Sequence, residues 1–178
     1  MKATDGVYFR REDYARFWVR VLVDVIDLMV FGTVCAALAV PVMMILPPTR
    51  STVNLILLTC VAVALSYFVV LKSSKFRTLG YRLGRVKIVG LDGRPPGYPA
   101  LMLRSMFGVL GPLNWLLDLA WLSNDTNRQA LRDKFASTYV VKINAQAAGK
   151  GRMVVRHYHI LSYNFMFREV EAGRSATE

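Results

Sequence analysis

The chain has 178 residues, a formal net charge of +11, and hydrophobic residues at 54% of its positions. This apolar content excludes a disordered protein, and two cysteines, both within apolar runs, exclude a disulfide scaffold. The sequence also lacks the paired Cys and His clusters of a zinc site, so it is typical of a small integral membrane protein with basic regions outside the bilayer.

Two long runs carry no charged residue, Leu28 to Leu46 and Val53 to Leu71. Each run has 19 residues. As a helix, such a run is about 28 Å long, which is close to the thickness of the hydrocarbon layer. Because only residues 47–52 link the runs, the two helices must be antiparallel. The sequence therefore predicts an all-α membrane protein with a transmembrane hairpin, its spans at about 20–46 and 53–71.

A third apolar stretch extends from about Ala100 to Leu122 and is interrupted by Arg104, Asp118, and Gly111-Pro112. Its length is sufficient for one crossing of the bilayer. Two short half-helices that enter and leave on the same side, with the bend at Gly111-Pro112, are the second arrangement. The distribution of basic residues distinguishes these two arrangements.

Cytoplasmic segments of membrane proteins are enriched in Lys and Arg. Five basic residues precede the first run, seven lie between residues 72 and 94, and nine follow Leu122, whereas the hairpin turn has only Arg50. The amino terminus and the central loop are therefore predicted to be cytoplasmic, in a multi-pass protein of the cell membrane. A single crossing by the third stretch would place nine basic residues outside, so the sequence favours a re-entrant or interfacial segment.

Short alternating, β-branched segments predict a small cytoplasmic β ribbon beside the helices. Residues 85–89 and 137–143 have this pattern, and the turn residues 91–96 follow the first of them. Residues 153–170 fit a strand or an interfacial helix equally well. The predicted domains are a membrane domain over residues 1–142 and a basic cytoplasmic tail over residues 143–178.

Three charged residues at the start of the first helix are spaced by four and three positions: Arg20, Asp24 and Asp27. This spacing places them on one face of a helix, at the cytoplasmic edge of the hydrocarbon layer. Arg104, near the start of the third stretch, and Asp133, which follows it, are their candidate partners. The five residues are predicted to form either a structural charge network or an ion- or proton-binding site.

Several blocks of the sequence resemble the RDD family of small prokaryotic membrane proteins, which is named for one Arg and two Asp. Residues 15–27 resemble the opening helix of the family, and Arg20 and Asp27 match the named Arg and the first named Asp. Asp133, within residues 128–141, matches the second named Asp. The resemblance covers about residues 15–142 and implies a membrane protein for which ion-linked transport has been proposed.

The central block of the family begins with a Thr-x-Gly-Lys element, which Thr78-Leu79-Gly80-Tyr81 resembles. Tyr81 replaces the usual Lys, and Arg82 is the adjacent cation. Arg104 falls where the family has an Arg after an Asp-Gly turn. In the closing block, Arg132 replaces a common His and Ser137 a common Gly.

Other chemistry receives little support from the sequence. His157 and His159 would share one face of a strand, but two imidazoles alone make a weak metal site. We find no phosphate-binding loop and no catalytic set, so we expect no enzyme activity and no cofactor. The basic loop and tail are expected to attract anionic lipid headgroups of the bilayer rather than nucleic acid.

Two functions remain open from the sequence. The first is ion- or proton-linked transport, in which Asp24 and Asp27 bind the ion and the other three residues tune that site. Because two spans cannot enclose a pathway, it requires a homo-oligomer or a larger membrane-protein partner. The second is a non-transporting membrane adaptor or assembly subunit that binds a partner protein through its basic cytoplasmic face.

Overall fold

The computed structural model describes residues 5–72, 74, 76–109, 118, 120–122, 125, 128–160 and 163–172. The chain divides into two compact units. One consists of Trp18–Gly84 and is called the helical unit. The other combines Met1–Phe17 with Arg85–Glu178 and is called the β-rich unit.

The helical unit contains two long apolar helices. Helix α1 (Phe17–Ile45) is followed by α2 (Arg50–Leu65), which continues as a π-helix over Ser66–Leu71, and then by the short α3 (Leu79–Leu83). Helix α1 has 29 residues and the helix through Leu71 has 22, and each has a window of mean hydropathy 2.4. Both are therefore long and apolar enough to cross a membrane.

Polar and thiol contacts join these two helices. The Tyr67 hydroxyl donates a hydrogen bond to Asp27, and the thiols of Cys35 and Cys60 are neighbours. Cys35 follows Asp27 in α1, whereas its neighbour Cys60 precedes Tyr67 in the second helix. This order means that the helices run in opposite directions.

The described elements of the β-rich unit are, in chain order, β1 (Asp5–Tyr8), β2 (Val86–Gly90), α4 (Tyr98–Val109), α5 (Leu131–Phe135), β3 (Thr138–Lys142), β4 (Gly149–Ile160) and β5 (Tyr163–Ala172). Residues 118 and 120–122 are also helical. The described strands form two antiparallel sheets, one with the strand order β1-β4-β5 and the other pairing β2 with β3. Helix α5 spans only five residues.

The core of the β-rich unit is built around aromatic side chains from the segment that precedes α1. The rings of Tyr14 and Tyr139 meet edge to face with centroids 5.4 Å apart, and Phe9 lies 6.1 Å from each of them. The backbone N–H of Ala15 donates to the Val140 carbonyl at 2.9 Å, which adds this segment to β3. Residues before α1 and residues of β3 therefore form one core.

The strands change part of the predicted fold. The all-α class was wrong, because five strands are present among the described residues. The predicted ribbon is confirmed, since Val86–Gly90 pairs with Thr138–Lys142 in register. Residues 153–170 adopt strand structure where described. These residues combine polar groups with aromatics at alternating positions, a pattern that the sequence left ambiguous between strand and helix.

The third apolar stretch is helical in its first half, as α4. The predicted bend at Gly111-Pro112 lies outside the described residues. The compact units also divide the chain elsewhere than the predicted boundary at residues 142 and 143, because β4 pairs with β1 near the amino terminus. The domain assignment itself stays a prediction.

Candidate functional site

The predicted charged face of α1 lies within the helical unit. Arg20 and Asp27 are buried, with 3% and 1% of their surface exposed, whereas Asp24 is partly exposed. Arg20 and Asp27 are seven residues apart, which is close to two full helical turns, so both side chains leave α1 in the same direction. A buried carboxylate requires hydrogen bonds or a counter-charge, and the residues around Asp27 supply both.

Three donors bind the Asp27 carboxylate. The Tyr67 hydroxyl and the Gly80 backbone N–H donate to Oδ1 at 2.9 and 2.8 Å, and the Thr78 hydroxyl donates to Oδ2 at 2.7 Å. Hydrogen bonds to a charged acceptor are the strong kind, worth about 1.5–3 kcal/mol each. Thr78 and Gly80 belong to the central sequence block, so that block binds the acid of α1.

Lys72 adds a positive charge at the same carboxylate. Its Nζ atom lies 3.8 Å from Asp27 Oδ2 and 4.9 Å from the centre of the Tyr81 ring. A second ring, that of Phe68, is 5.1 Å from the same ammonium. Tyr81, which replaces the usual Lys of the family, therefore contacts the cation Lys72. Lys72 is the cation beside Asp27, whereas Arg82 is exposed.

Gly80 is required at its position by close packing. A Cβ atom there would lie 2.4 Å from the Val23 carbonyl oxygen and 2.7 Å from Asp27 Oδ1. Gly84, one helical turn later, would place a Cβ 2.6 Å from a Val23 methyl group. The absence of side chains at both glycines lets α3 approach α1 closely enough for the Gly80 N–H to reach Asp27.

A second buried carboxylate lies in the β-rich unit. Asp133 is fully buried and forms a direct ion pair with Arg104, whose guanidinium also donates to the Thr138 hydroxyl at 2.6 Å. The other Asp133 oxygen accepts the Ala130 backbone N–H at 3.1 Å, which caps the start of α5. This pair links α4, α5 and β3.

The five predicted site residues therefore fall into two groups. Arg20, Asp24 and Asp27 belong to the helical unit, and Arg104 and Asp133 are paired within the β-rich unit. Each group has its own partners. A single site that combines all five residues stays a prediction.

A third charged cluster was not anticipated from the sequence. The Lys134 ammonium is fully buried and lies 2.6 Å from both Asp125 and Glu169. The Tyr158 hydroxyl donates to the same Glu169 oxygen, and Arg156 approaches the other Glu169 oxygen at 3.4 Å. Glu169 is 35 residues from Lys134, so no local spacing signals the pair.

Burial changes the protonation of several groups in the β-rich unit. Burial and the hydrogen bond to Glu169 raise the pKa of Tyr158 above its usual value. Burial also raises the pKa of Asp118, although the nearby Arg132 guanidinium, 3.0 Å away, acts in the opposite direction. Burial therefore shifts both groups toward their neutral forms relative to the unfolded chain.

In these clusters, buried carboxylates are neutralised by hydrogen-bond donors and basic side chains of the chain itself. The three groups that hydrogen-bond to Asp27 act as donors toward it, and a metal cation is coordinated by acceptor oxygens. Among the described residues, no three His, Cys, Asp or Glu side chains converge on a possible metal position. The Asp27 carboxylate thus joins helices, and hydrogen-bond donors occupy three of its roughly four lone-pair sites.

Comparison with protein families identifies a match for this chain. The RDD family matches residues 14–137, which is well over half of the chain and includes Asp27, the central block and the Arg104–Asp133 pair. No curated protein and no solved structure matches the chain. The chain therefore belongs to the RDD family, and it is a membrane protein with two membrane-capable helices.

Proposed function

We propose that this RDD-family membrane protein is a non-transporting adaptor or assembly subunit. Two spans anchor it, and its basic β-rich unit binds a partner protein. The observation that carries the proposal is the occupied Asp27 carboxylate, which accepts three hydrogen bonds and faces Lys72. A carboxylate held in this way stabilises the fold but is poorly suited to bind and release an ion. The proposal assigns no catalytic chemistry to the chain.

Strand pairing supports a topology with two membrane spans. Strand β1 precedes α1, and it pairs with β4, which follows all the apolar segments. Paired strands lie on one side of a membrane, so the chain between them crosses an even number of times. Strands β2 and β3 flank the third apolar stretch and also pair. By the same reasoning, the third stretch enters and leaves on one side.

The exposed face of α4 supports an interfacial location for the third stretch. Tyr98, Met102 and Met106 are spaced by four residues and are exposed by 60, 51 and 55%. Leu101 and Arg104 are buried on the opposite side of the helix. A helix with an apolar outer stripe and no exposed charge is typical of an element that lies at the bilayer surface.

The basic β-rich unit is assigned to the cytoplasm, because positive charge accumulates on that side of membrane proteins. This assignment places the hairpin turn, with its single Arg50, outside. Exposed basic residues of the unit offer a surface for an acidic partner protein or a second copy of the chain. They include Arg10, Arg11, Arg94, Lys142, Lys150 and Arg152.

Ion- or proton-linked transport is the second candidate function. The observation in its favour is the 3.8 Å separation between Lys72 Nζ and Asp27 Oδ2, which exceeds hydrogen-bond length. An ion or a proton that displaced the ammonium would reach a buried acid. This mechanism requires a homo-oligomer or a larger membrane partner to enclose a pathway.

Ion flux across proteoliposomes separates the two functions. We expect no flux from the wild-type chain when a sodium or proton gradient is imposed. Flux that is lost in Asp27→Asn and retained in Asp24→Asn would contradict the adaptor proposal and favour transport. The two variants are matched, since both replace an acid of α1, and circular dichroism verifies that each is folded.

Mass measurement tests the adaptor directly. The tagged chain is extracted from its own membranes in mild detergent, and light scattering with size-exclusion chromatography gives the protein mass of the complex. We expect a stoichiometric second protein that is lost when exposed Arg94, Lys142 and Lys150 are replaced by Glu. A complex that keeps its partner after this charge reversal would contradict binding through the basic surface.

A further inference from the structure

The hairpin of β4 and β5 has two contrasting faces. On the inner face, the Phe167 side chain is 3% exposed and its ring centre lies 6.1 Å from that of Trp121. Tyr158, on the same face, approaches Trp121 with a centroid distance of 5.3 Å. Because strand side chains alternate, the intervening residues between Val155 and Arg168 form the outer face, whereas Val170, farther along β5, packs into the core.

The outer face combines basic and apolar side chains. Val155 is paired with Arg168, His157 with Met166, and His159 with Asn164. Val155 and Met166 are 55 and 66% exposed, and the other four are exposed as well. Large apolar side chains are unusual on the solvent face of a soluble sheet.

This face also lacks negative charge. None of its six residues is acidic, and no ion pair involves Arg168 within the part of the chain that the structure describes. Arg156, on the inner face, is different, because it approaches Glu169 and Glu171 at 3.4 and 3.9 Å. The positive charge of Arg168 is thus available to an external anion.

We propose that this outer face is a contact surface for the anionic headgroups of a lipid bilayer. The Arg168 guanidinium matches phosphate geometry, and imidazole N–H groups donate to phosphate oxygens. Val155 and Met166 enter the headgroup layer beside them, which is the arrangement of interfacial membrane-binding elements. A chain that is already anchored in the bilayer keeps lipid at high effective concentration near this face.

The inference goes beyond the proposed function. It rests on that proposal for one point, the location of the β-rich unit on a side of the membrane that has anionic headgroups. Lipid is the occupant that the membrane anchor of the chain keeps close to this face, whereas a peptide would add to the open edge of β5 through backbone hydrogen bonds and leave the outer side chains uncovered. The experiment must therefore distinguish lipid contact from coverage of the face by a protein.

Cysteine labelling tests the contact in the full chain. Cys35 and Cys60 are replaced by Ala, and Met166→Cys is introduced in that background. The variant is reconstituted into nanodiscs of phosphatidylcholine, with or without phosphatidylglycerol, and reacted with a membrane-impermeant maleimide. We expect slower labelling in the anionic nanodiscs than in the neutral ones, and rapid labelling in detergent.

Charge variants sharpen the result. Arg168→Gln should reduce the protection about fivefold, which corresponds to about 1 kcal/mol for one basic residue at an anionic surface. Arg168→Lys keeps the charge and should therefore retain the protection from labelling. Equal labelling in both lipid compositions would overturn the proposal, and so would slow labelling in detergent, since a protein contact would then cover the face.

Labelling at two further positions distinguishes a failure of the lipid-contact proposal from a failure of the proposed topology. Glu171→Cys lies on the inner face of the same strand, is exposed, and should label rapidly in every condition. Met102→Cys in α4 should be protected in both lipid compositions if the third stretch lies at the interface. Protection at position 102 without protection at position 166 overturns the hairpin contact alone, whereas rapid labelling at position 102 contradicts the interfacial third stretch.

Discussion

In the helical unit, Asp27 is held by two hydroxyls and one backbone amide, and its nearest ammonium is 3.8 Å away. In the β-rich unit, Asp133 binds the Arg104 guanidinium directly. Both acids are buried, yet one is neutralised mainly by dipoles and the other by a full charge. Neutral donors carry a smaller desolvation cost than a second buried ion, which favours them around a buried acid.

The largest effect is expected at the buried charge pair. Arg104→Met should lower the free energy of unfolding by about 3–5 kcal/mol, because Asp133 would remain buried without its counter-ion. Urea unfolding in mild detergent measures the loss. Arg94→Met is the matched control, since Arg94 is exposed, and its effect should be close to zero. Similar losses in both variants would contradict an essential Arg104–Asp133 pair.

Close packing at α3 should give the next largest effect. Gly80→Ala places a Cβ against the Val23 carbonyl and the Asp27 carboxylate, and we expect a loss of about 1–3 kcal/mol. Gly32→Ala serves as the comparison, because a Cβ at Gly32 meets nothing within 4 Å. That substitution should be neutral or slightly stabilising in a helix. Thermal unfolding of both variants, followed by intrinsic fluorescence, tests the difference.

The balance between dipoles and charge at Asp27 can be measured directly. Thr78→Val removes a hydroxyl that donates at 2.7 Å and should cost about 1.5–3 kcal/mol. Lys72→Met keeps much of the side-chain volume and should cost about 1 kcal/mol, mainly from the lost contacts with the Phe68 and Tyr81 rings, since the ammonium lies beyond hydrogen-bond distance from Asp27. A larger loss for Lys72→Met than for Thr78→Val would show that charge dominates here too.

The smallest effect at neutral pH concerns the buried phenols of the β-rich unit. Burial raises the pKa of Tyr14 and Tyr139, and it raises that of Tyr158 together with the bond to Glu169. The stability that these neutral phenols contribute is fully present below the unfolded pKa of about 10 and is lost as the pH rises through the folded pKa. Ultraviolet absorbance should therefore report phenolate formation together with alkaline unfolding. Independent ionisation before unfolding would contradict this.

Local spacing predicted some of the site and none of its long-range contacts. Arg20 and Asp27 share a helix face through their seven-residue spacing, and both are buried as expected for an inward face. Thr78 and Gly80 are 51 and 53 residues from Asp27, so no periodicity joins them. The family resemblance identified these residues as a block but not as donors.

The β-rich unit was less predictable for a related reason. Strands β2 and β3 alternate clearly and were predicted as a pair, although the third apolar stretch separates them. Strands β4 and β5 mix aromatics with charges, because their inner face binds the buried Lys134 through Glu169. From the sequence alone, Lys134 in its charged segment is expected to be exposed to solvent, because its distant partner Glu169 cannot be identified.

The π-helix at the end of α2 has a geometric consequence for the Asp27 cluster. A π turn holds about one residue more than an α turn, so it changes the angular phase of everything after it by about 100°. Tyr67 lies within this wide turn and Lys72 directly follows it. Winding the same residues as a regular α-helix would rotate the Lys72 ammonium away from Asp27 by this angle, whereas removing one residue together with the π turn would leave its direction unchanged.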